Sequence, residues 1–239
     1  MVDNLQAVLF DLDDTLLGND MESFVPGYFN ILSKYAAKRF ERRQFLQDLL
    51  LSTRTVIDNT DPATTNWEVF WTAFAARTGH DAAELEPFFD QFYAEQFGQL
   101  QAVTEFRPVA PELLTYCLAQ GWQVVIATNP LFPRTAVEQR LDWGGVPVTR
   151  FPYALVTTME NMHFAKPHTA YYQEILTHLN CQPAQALMVG DSWENDILPA
   201  AELGLLTWFV PTAIMPEPPA AAVPLTGWGT LEQLYDRLT

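Results

Sequence analysis

An apolar segment near the start of the chain ends abruptly in acidic residues, and this feature constrains the fold most. Ala7–Phe10 is a short apolar run of the kind that forms a buried strand. Asp11, Asp13 and Asp14 lie within the next four residues. Because burying an isolated carboxylate is prohibitively costly, the strand must end here and present Asp11 and Asp13 at its carboxyl edge. Ligands bind at that edge in open α/β sheets, and two close negative charges favour a cation between them.

Strands alternate with helices in the second half of the chain. Gly121 and Gly204 mark helix ends, and Thr230 begins a capping box that opens a last helix. The further predicted strands are Trp122–Ala127, Tyr153–Val156, Ala186–Gly190 and Leu205–Val210. The predicted helices are Pro111–Gln120, Thr135–Leu141, Thr169–Leu179 and Glu194–Leu203. This alternation predicts an α/β fold with a doubly wound parallel sheet.

A long helical block separates the first strand from the second. About a hundred residues lie between Asp13 and Trp122, many more than a crossover between parallel strands needs. Aromatic residues recur there at helical spacing, which predicts about four helices and no strand. We therefore expect an inserted helical domain at residues 18–102 and a core domain made of residues 1–17 and 103–239. The insertion leaves the sheet at the edge that carries Asp11 and Asp13, so it can close over them.

Composition limits the partners and the location. The chain has 239 residues, with 13 Lys and Arg against 29 Asp and Glu, and a formal net charge of −16. Such a charge is repelled by nucleic acid and by anionic membrane surfaces, so we expect neither as a partner. Cys117 and Cys181 form no disulfide framework, and no apolar stretch is long enough to span a bilayer. We expect a soluble cytoplasmic protein, and the sequence leaves its oligomeric state open.

Polar groups follow three of the predicted strands. Asp11 and Asp13 follow the first, Thr128 and Asn129 the second, and Asp191 comes after Ala186–Gly190. A single positive charge, Lys166, lies in the loop before the helix that begins at Thr169. Carboxylates, a hydroxyl, backbone N–H groups and one compact cation suit a phosphate held beside Mg²⁺.

These segments resemble the four motifs of the haloacid dehalogenase superfamily, in the expected order and at the expected strand ends. The segments are Asp11–Thr15, Ala127–Asn129, Lys166–Pro167 and Gly190–Asp196. The resemblance covers residues 1–17 and about 103–239, and the helical block resembles that family's helical cap of the first type. It implies a Rossmann-like core and a phosphatase that acts on a small phosphorylated metabolite.

The resemblance also implies the catalytic roles. Asp11 would be the nucleophile that forms an aspartyl-phosphate. Asp13 would protonate the leaving oxygen and then deprotonate the hydrolytic water. Thr128 and Asn129 would bind the phosphoryl oxygens, and Lys166 would neutralise them while keeping Asp11 ionised.

A Mg²⁺ ion is implied as the cofactor. Its ligands would be the carboxylates of Asp11 and Asp191 and the backbone carbonyl of Asp13. Asp196 would not bind the metal itself but would support the site by orienting water or Lys166. Asp14 stands where many family members have glycine, and we expect its side chain to point away from the site.

Other reactions of the same superfamily stay open. Members that dehalogenate carbon substrates lack an acid at the position of Asp13, and phosphonate hydrolases lack it too and use a lysine of the cap, for which this sequence offers Lys34 and Lys38. A phosphomutase and a catalytically silent binding protein are the remaining alternatives. The substrate depends on which cap residues face inward, and the candidates are Phe24, Tyr28, Thr53, Asn59 and Trp67.

Overall fold

Two sheets and nine α-helices make up the described part of the chain. The computed structural model describes residues 4–19, 21–219 and 225–239, so eight residues of the expected core domain and one of the expected helical domain lie outside it. The strands are β1 (Ala7–Phe10), β2 (Leu17–Gly18), β3 (Glu105–Phe106), β4 (Gln123–Ile126), β5 (Leu155–Val156), β6 (Ala186–Gly190), β7 (Leu206–Phe209) and β8 (Gly227–Trp228). The helices are α1 (Met21–Ala36), α2 (Arg42–Ile57), α3 (Asn66–Thr78), α4 (Ala82–Glu95), α5 (Val109–Ala119), α6 (Arg134–Trp143), α7 (Thr169–Leu179), α8 (Leu198–Glu202) and α9 (Leu231–Leu238). Among these helices, none has the length and apolar character needed to cross a bilayer.

The larger sheet is parallel and has six strands in the order β5-β4-β1-β6-β7-β8. β1 pairs with β4 on one side and with β6 on the other, so that Phe10 lies opposite both Ile126 and Val189. The three central strands therefore end side by side. The predicted α/β fold with a parallel sheet and a helical cap is confirmed.

Helices cover both faces of this sheet. Alternate strand residues, such as Val8 and Phe10, pack with α5, α6 and α9 on one face. The intervening residues, such as Ala7 and Leu9, pack with α7 and α8 on the other face. β1 is fully buried because both of its faces are covered, which explains why its sequence is continuously apolar.

The helical block consists of α1 to α4 and a 3₁₀ helix at Phe97–Val103. Thr65 caps α3 through a capping box, and Gly79 ends it in the left-handed conformation with φ 71°. Aromatic side chains from all four helices form the core of the block. Phe45 and Phe89 stack within it at 5.8 Å between ring centroids.

Three details differ from the predictions. The helical block was expected to hold no strand, but Gly18 belongs to β2, which pairs with β3 where the chain returns to the core. β8 adds a two-residue edge strand to the large sheet. Strands this short carry no detectable periodicity. The predicted helix Glu194–Leu203 is divided into a π-helical turn, Trp193–Ile197, and α8, because Pro199 has no N–H to continue the α-helical pattern.

Candidate active site

The candidate site lies where the three central strands end. Asp11 directly follows β1, and its backbone N–H donates to the carbonyl of Val189 in β6 at 2.9 Å. Ala127 donates to the carbonyl of Phe10 at 2.7 Å and leads the chain into Thr128. Asp191 follows Gly190, the last residue of β6. The parallel register therefore gathers the polar ends of β1, β4 and β6 at one edge.

A buried lysine joins two of the acids. Lys166 is 2 % exposed, and its Nζ donates to Oδ1 of Asp11 at 2.8 Å and to Oδ1 of Asp196 at 2.6 Å. Burial by itself would lower the pKa of Lys166, but the two carboxylates outweigh it and hold that pKa well above its usual range. Lys166 is therefore a fixed positive charge at the strand edge.

Three carboxylates converge beside this lysine. One carboxylate oxygen each from Asp11, Asp191 and Asp196 lie within 4.8 Å of one another. Burial, with the negative charges of Asp196 and Asp13, raises the pKa of Asp11 to about 7 although Lys166 opposes the shift. Burial and the charges of Asp11 and Asp196 raise the pKa of Asp191 to about 9. Such a crowded set of carboxylate oxygens fits a hard divalent cation such as Mg²⁺.

The π-helical turn fixes Asp196. Oδ2 of Asp196 accepts the backbone N–H of Ser192 at 3.0 Å, while its Oδ1 accepts Lys166. Gly190 allows this close packing, because a Cβ at that position would lie 2.2 Å from Oδ2 of Asp196. Thr15, which the sequence reasoning gave no role, directs its hydroxyl at Oδ1 of Asp191 at 3.4 Å.

The end of β4 is held from the sheet face that α7 covers. Thr128 is 2 % exposed, and its carbonyl accepts the hydroxyls of Thr157 at 2.7 Å and Tyr171 at 2.9 Å. Asn129 accepts the backbone N–H of Lys166 through its amide oxygen at 3.2 Å. Asn129 therefore positions the lysine segment directly.

Asp13 faces a different set of partners. Asn19 donates to Oδ1 of Asp13 at 2.8 Å, and Nη1 of Arg140 contacts Oδ2. Arg140 is fully buried in α6, and its Nε donates to the carbonyl of Ala136 at 3.2 Å. The Asp13 carboxylate is thus outside the set formed by Asp11, Asp191 and Asp196. Sequence reasoning missed Arg140 and Asn19, since neither belongs to a motif and residue 140 is remote from residue 13 in the chain.

The backbone conformation at Asp14 explains why many proteins with this motif have glycine at that position. Asp14 has φ 58°, in the left-handed region where glycine, asparagine and aspartate are tolerated best. Its Oδ1 accepts Nη2 of Arg107 at 2.8 Å, and the same guanidinium donates to the carbonyl of Thr15 at 2.7 Å. Asp14 therefore ties the β1 loop to the segment that follows β3.

The helical block packs on the segment that carries Lys166. The backbone N–H groups of Asn66 and Trp67, at the start of α3, donate to the carbonyls of Met162 and Met159 at 2.8 and 2.9 Å. Asn59 reaches the carbonyl of His163 at 3.1 Å. Of the five candidate inward residues, Phe24 is buried and packs in the core of the block, Asn59 bonds to the core domain, and three line a cavity described below: Tyr28, Thr53 and Trp67.

The chain matches a known family of hydrolases over most of its length. The model of the haloacid dehalogenase-like hydrolases matches residues 5–204. The chain belongs to this family. It is therefore a hydrolase, and its resemblance at the four motifs is confirmed as membership.

Individual relatives are distant. Pyrophosphatase PpaX of Bacillus velezensis is 25% identical over 201 residues, which cover 84% of this chain and 81% of the relative. A HAD phosphatase from Thermococcus onnurineus has a TM-score of 0.59 at 18% identity, over 98% of both chains. A 2-haloacid dehalogenase from Pseudomonas syringae pv. Tomato has a TM-score of 0.61 at 21% identity, also over 98% of both chains. At such identities the two structures share the fold, and the chemistry has to be argued from the site.

Proposed function

We propose that the protein is a Mg²⁺-dependent phosphatase that hydrolyses a small phosphorylated metabolite in the cytoplasm. The observation that carries the proposal is the buried Lys166, which bridges Asp11 and Asp196 beside Asp191. A positive charge at this edge attracts a phosphoryl group, and three acids next to it suit a divalent cation. In the same proposal, residues 18–102 are the cap domain, and the remaining residues are the catalytic core.

Asp11 would act as the nucleophile. One carboxylate oxygen attacks phosphorus, a bond forms between them, and the ester bond to the leaving alcohol oxygen breaks. Lys166 would hold Asp11 and balance charge on the transferring oxygens, while the hydroxyl of Thr128 and the amide N–H₂ of Asn129 donate to them. Water then attacks the phosphorus of the aspartyl-phosphate, which releases phosphate and regenerates Asp11.

Asp13 would move the protons in both steps. It gives a proton to the leaving oxygen, and it then takes one from the attacking water, so that its state is restored at the end of the cycle. Asn19 and Arg140 hold its carboxylate in place between turnovers.

Mg²⁺ would be held by the carboxylates of Asp11 and Asp191 and the backbone carbonyl of Asp13. When bound, it supplies positive charge that stabilises the transferring phosphoryl group. Asp196 would support this site indirectly, by fixing Lys166.

Chemistry and geometry weigh against three of the four alternative functions: dehalogenation, phosphonate hydrolysis and silent binding. An acid at the position of Asp13 is not needed to release a halide, so its presence favours phosphoryl transfer over dehalogenation. Lys34 is exposed, and Lys38 is exposed with its Nζ 4.0 Å from the centre of the Tyr35 ring, so neither is placed like the cap lysine of a phosphonate hydrolase. A silent binding protein would have no need for both Asp13 and Lys166. A phosphomutase is distinguished only by its products.

The test uses p-nitrophenyl phosphate, pyrophosphate and a panel of phosphomonoesters with Mg²⁺. Pyrophosphate is included because the Bacillus velezensis relative is named a pyrophosphatase. Asp11→Asn should lower kcat by roughly 10³-fold or more, since the attacking carboxylate is lost. Rapid acid quenching with radiolabelled substrate should trap labelled protein in the wild type and none in the variant.

Asp58→Asn is the matched control. Asp58 is exposed and pairs with Arg54 on the surface of α2, so its replacement should leave kcat unchanged. An Asp11→Asn protein with wild-type turnover would contradict the mechanism. Transfer of the phosphoryl group to a second hydroxyl of the substrate, without release of phosphate, would identify a mutase instead.

A further inference from the structure

A cavity of about 230 Å³ lies between the four cap helices and the loop that follows β4. All four helices contribute to its walls. Most of its large wall residues are aromatic, among them Tyr28, Trp67, Phe70, Trp71, Phe89 and Phe132. No step of the proposed mechanism uses this cavity.

The hydroxyl groups on the cavity wall are already paired, whereas the indole N–H of Trp71 is buried without a partner among the described residues. The hydroxyls of Tyr28 and Tyr93 share a hydrogen bond of 2.9 Å. Thr53 donates its hydroxyl to the carbonyl of Leu49 at 3.0 Å. Asp90 is exposed, as is Leu50, and both mark where the cavity meets solvent. A polar ligand would lose its hydration here and recover few hydrogen bonds, whereas an apolar group gains from burial.

The same loops build the cavity and the phosphate site. The core side of the cavity is formed by Leu131–Pro133, three residues after Thr128, and by Met159. The backbone N–H of Met159 donates to the carbonyl of Phe132 at 3.1 Å and so joins the two segments. Met159 also begins the stretch of loop that leads to Lys166. Two segments, 128–133 and 159–166, thus each have one end at the cavity and the other at the proposed phosphate site.

A second connection runs through Arg140. Its guanidinium lies over the ring of Phe132, 4.6 Å from the ring centre, and pairs with the carboxylate of Asp13. Phe132 is a wall residue of the cavity. The ring of Phe132 therefore lies between the cavity and Arg140, which pairs with the proposed acid Asp13.

We propose that the cavity binds an apolar group of the substrate's leaving alcohol. The substrate class is then a phosphomonoester of an aliphatic or aromatic alcohol, in contrast to a phosphorylated sugar, glycolate or pyrophosphate. An apolar cavity of about 150 Å³ is large enough for benzene, so the present one holds a ring with a short alkyl chain or a medium aliphatic chain. This inference rests on the proposed function.

A series of n-alkyl phosphates from ethyl to hexyl tests the inference. Each methylene that enters the cavity should raise kcat/KM about fourfold, which gives roughly a 10²-fold difference between the ends of the series. Thr53→Phe fills the cavity from α2 and should remove the dependence on chain length. The matched control is Thr55→Phe on the same helix, because Thr55 makes the same hydroxyl bond to a carbonyl, that of Leu51, at 3.0 Å and does not line the cavity.

Calorimetric titration of Asp11→Asn separates this inference from the proposed function. That variant should bind hexyl phosphate roughly 10²-fold more tightly than ethyl phosphate in the presence of Mg²⁺, whether or not the wild type turns them over. Binding preference without any wild-type hydrolysis would remove the phosphatase proposal and keep the assignment of the cavity. Equal affinities and a flat kinetic series, or identical behaviour of the two threonine variants, would overturn the assignment.

Discussion

Two buried cations hold the two acids of the first strand end. Lys166 is 2 % exposed and donates to Asp11, while Arg140 is fully buried and pairs with Asp13. Lys166 has a second carboxylate in Asp196, but Arg140 has no second one in the described ranges, 4–19, 21–219 and 225–239. The two acids therefore stand in different surroundings, as their different proposed roles require.

The pair of Asp13 and Arg140 makes a prediction about stability. Asp13→Asn leaves the guanidinium of Arg140 buried without a negative charge, so it should lower the free energy of unfolding by about 3–5 kcal/mol. Adding Arg140→Met removes the uncompensated charge and should restore most of that loss. Urea unfolding of the two single variants and the double variant, without metal, measures the coupling.

A surface pair provides the comparison. Arg54 and Asp58 are 68 % and 55 % exposed in their side chains, and Asp58→Asn should change the unfolding free energy by less than about 1 kcal/mol. If the double variant were as unstable as the sum of its single variants, Arg140 and Asp13 would be energetically independent and the pair would have no structural role.

Residues at strand ends were predictable, and partners from packed helices were not. Asp11, Thr128 and Asp191 meet because each follows an apolar run, and parallel strands end at one edge. Arg140 meets Asp13 only because α6 packs on the face of the sheet that contains Phe10. That contact depends on tertiary packing, for which the local pattern around residue 140 carries no signal.

At the scale of elements, the π-helical turn after β6 is the part that positions Asp196 in the candidate site. It places Asp196 directly over Gly190, where any side chain would overlap the carboxylate. Gly190→Ala should therefore displace Asp196, lower the unfolding free energy by about 1–3 kcal/mol and reduce kcat at least tenfold, since Lys166 loses a fixed partner. Urea unfolding and steady-state kinetics check the two effects.

Gly98→Ala is the control for this substitution. Its added Cβ would meet no atom closer than 3.8 Å, so stability and kcat should stay near the wild-type values. If Gly190→Ala matched this control in both measurements, the close packing of Asp196 on the strand end would be irrelevant to the site.

Short elements mark the limit of what the sequence shows. The long helices α1 to α4 carry several turns of apolar periodicity, and the capping box at Thr65 marks the start of α3. β2, β3 and β8 are two residues long and exist only through pairing with a distant segment. The break between the π-helical turn and α8 follows from Pro199. The proline is visible in the sequence, but its effect on the helix depends on the conformation of the preceding turn.

For the whole molecule, the buried acids add to a large overall negative charge. The chain carries a formal charge of −16, and the candidate site concentrates three carboxylates around one lysine. Burial and mutual repulsion raise the pKa of Asp11 to about 7 and that of Asp191 to about 9, whereas both groups titrate near 4 in an unfolded chain. Between these values the metal-free folded protein binds protons more tightly than the unfolded one.

The stability of the metal-free protein should therefore fall as the pH rises from about 4 to about 9. The free energy of unfolding falls with pH wherever the folded state binds more protons than the unfolded state, and in this window the folded carboxyls keep their protons to higher pH.

Asp191→Asn removes the group with the larger pKa shift, so at pH 8 without metal it should be more stable than the wild type by roughly 1–3 kcal/mol. Mg²⁺ should stabilise the wild type at that pH, by about 2.7 kcal/mol at a hundredfold excess over Kd, and leave the variant unchanged. Thermal unfolding from pH 5 to pH 9 with EDTA or Mg²⁺ measures all of these effects. A wild type whose metal-free stability rises across this range would contradict the raised pKa values of Asp11 and Asp191. An Asp191→Asn protein that still responds to Mg²⁺ would show that Asp191 is not a ligand. Loss of activity in a variant that gains stability would mean that the acids of this strand edge are retained for chemistry at the expense of the fold.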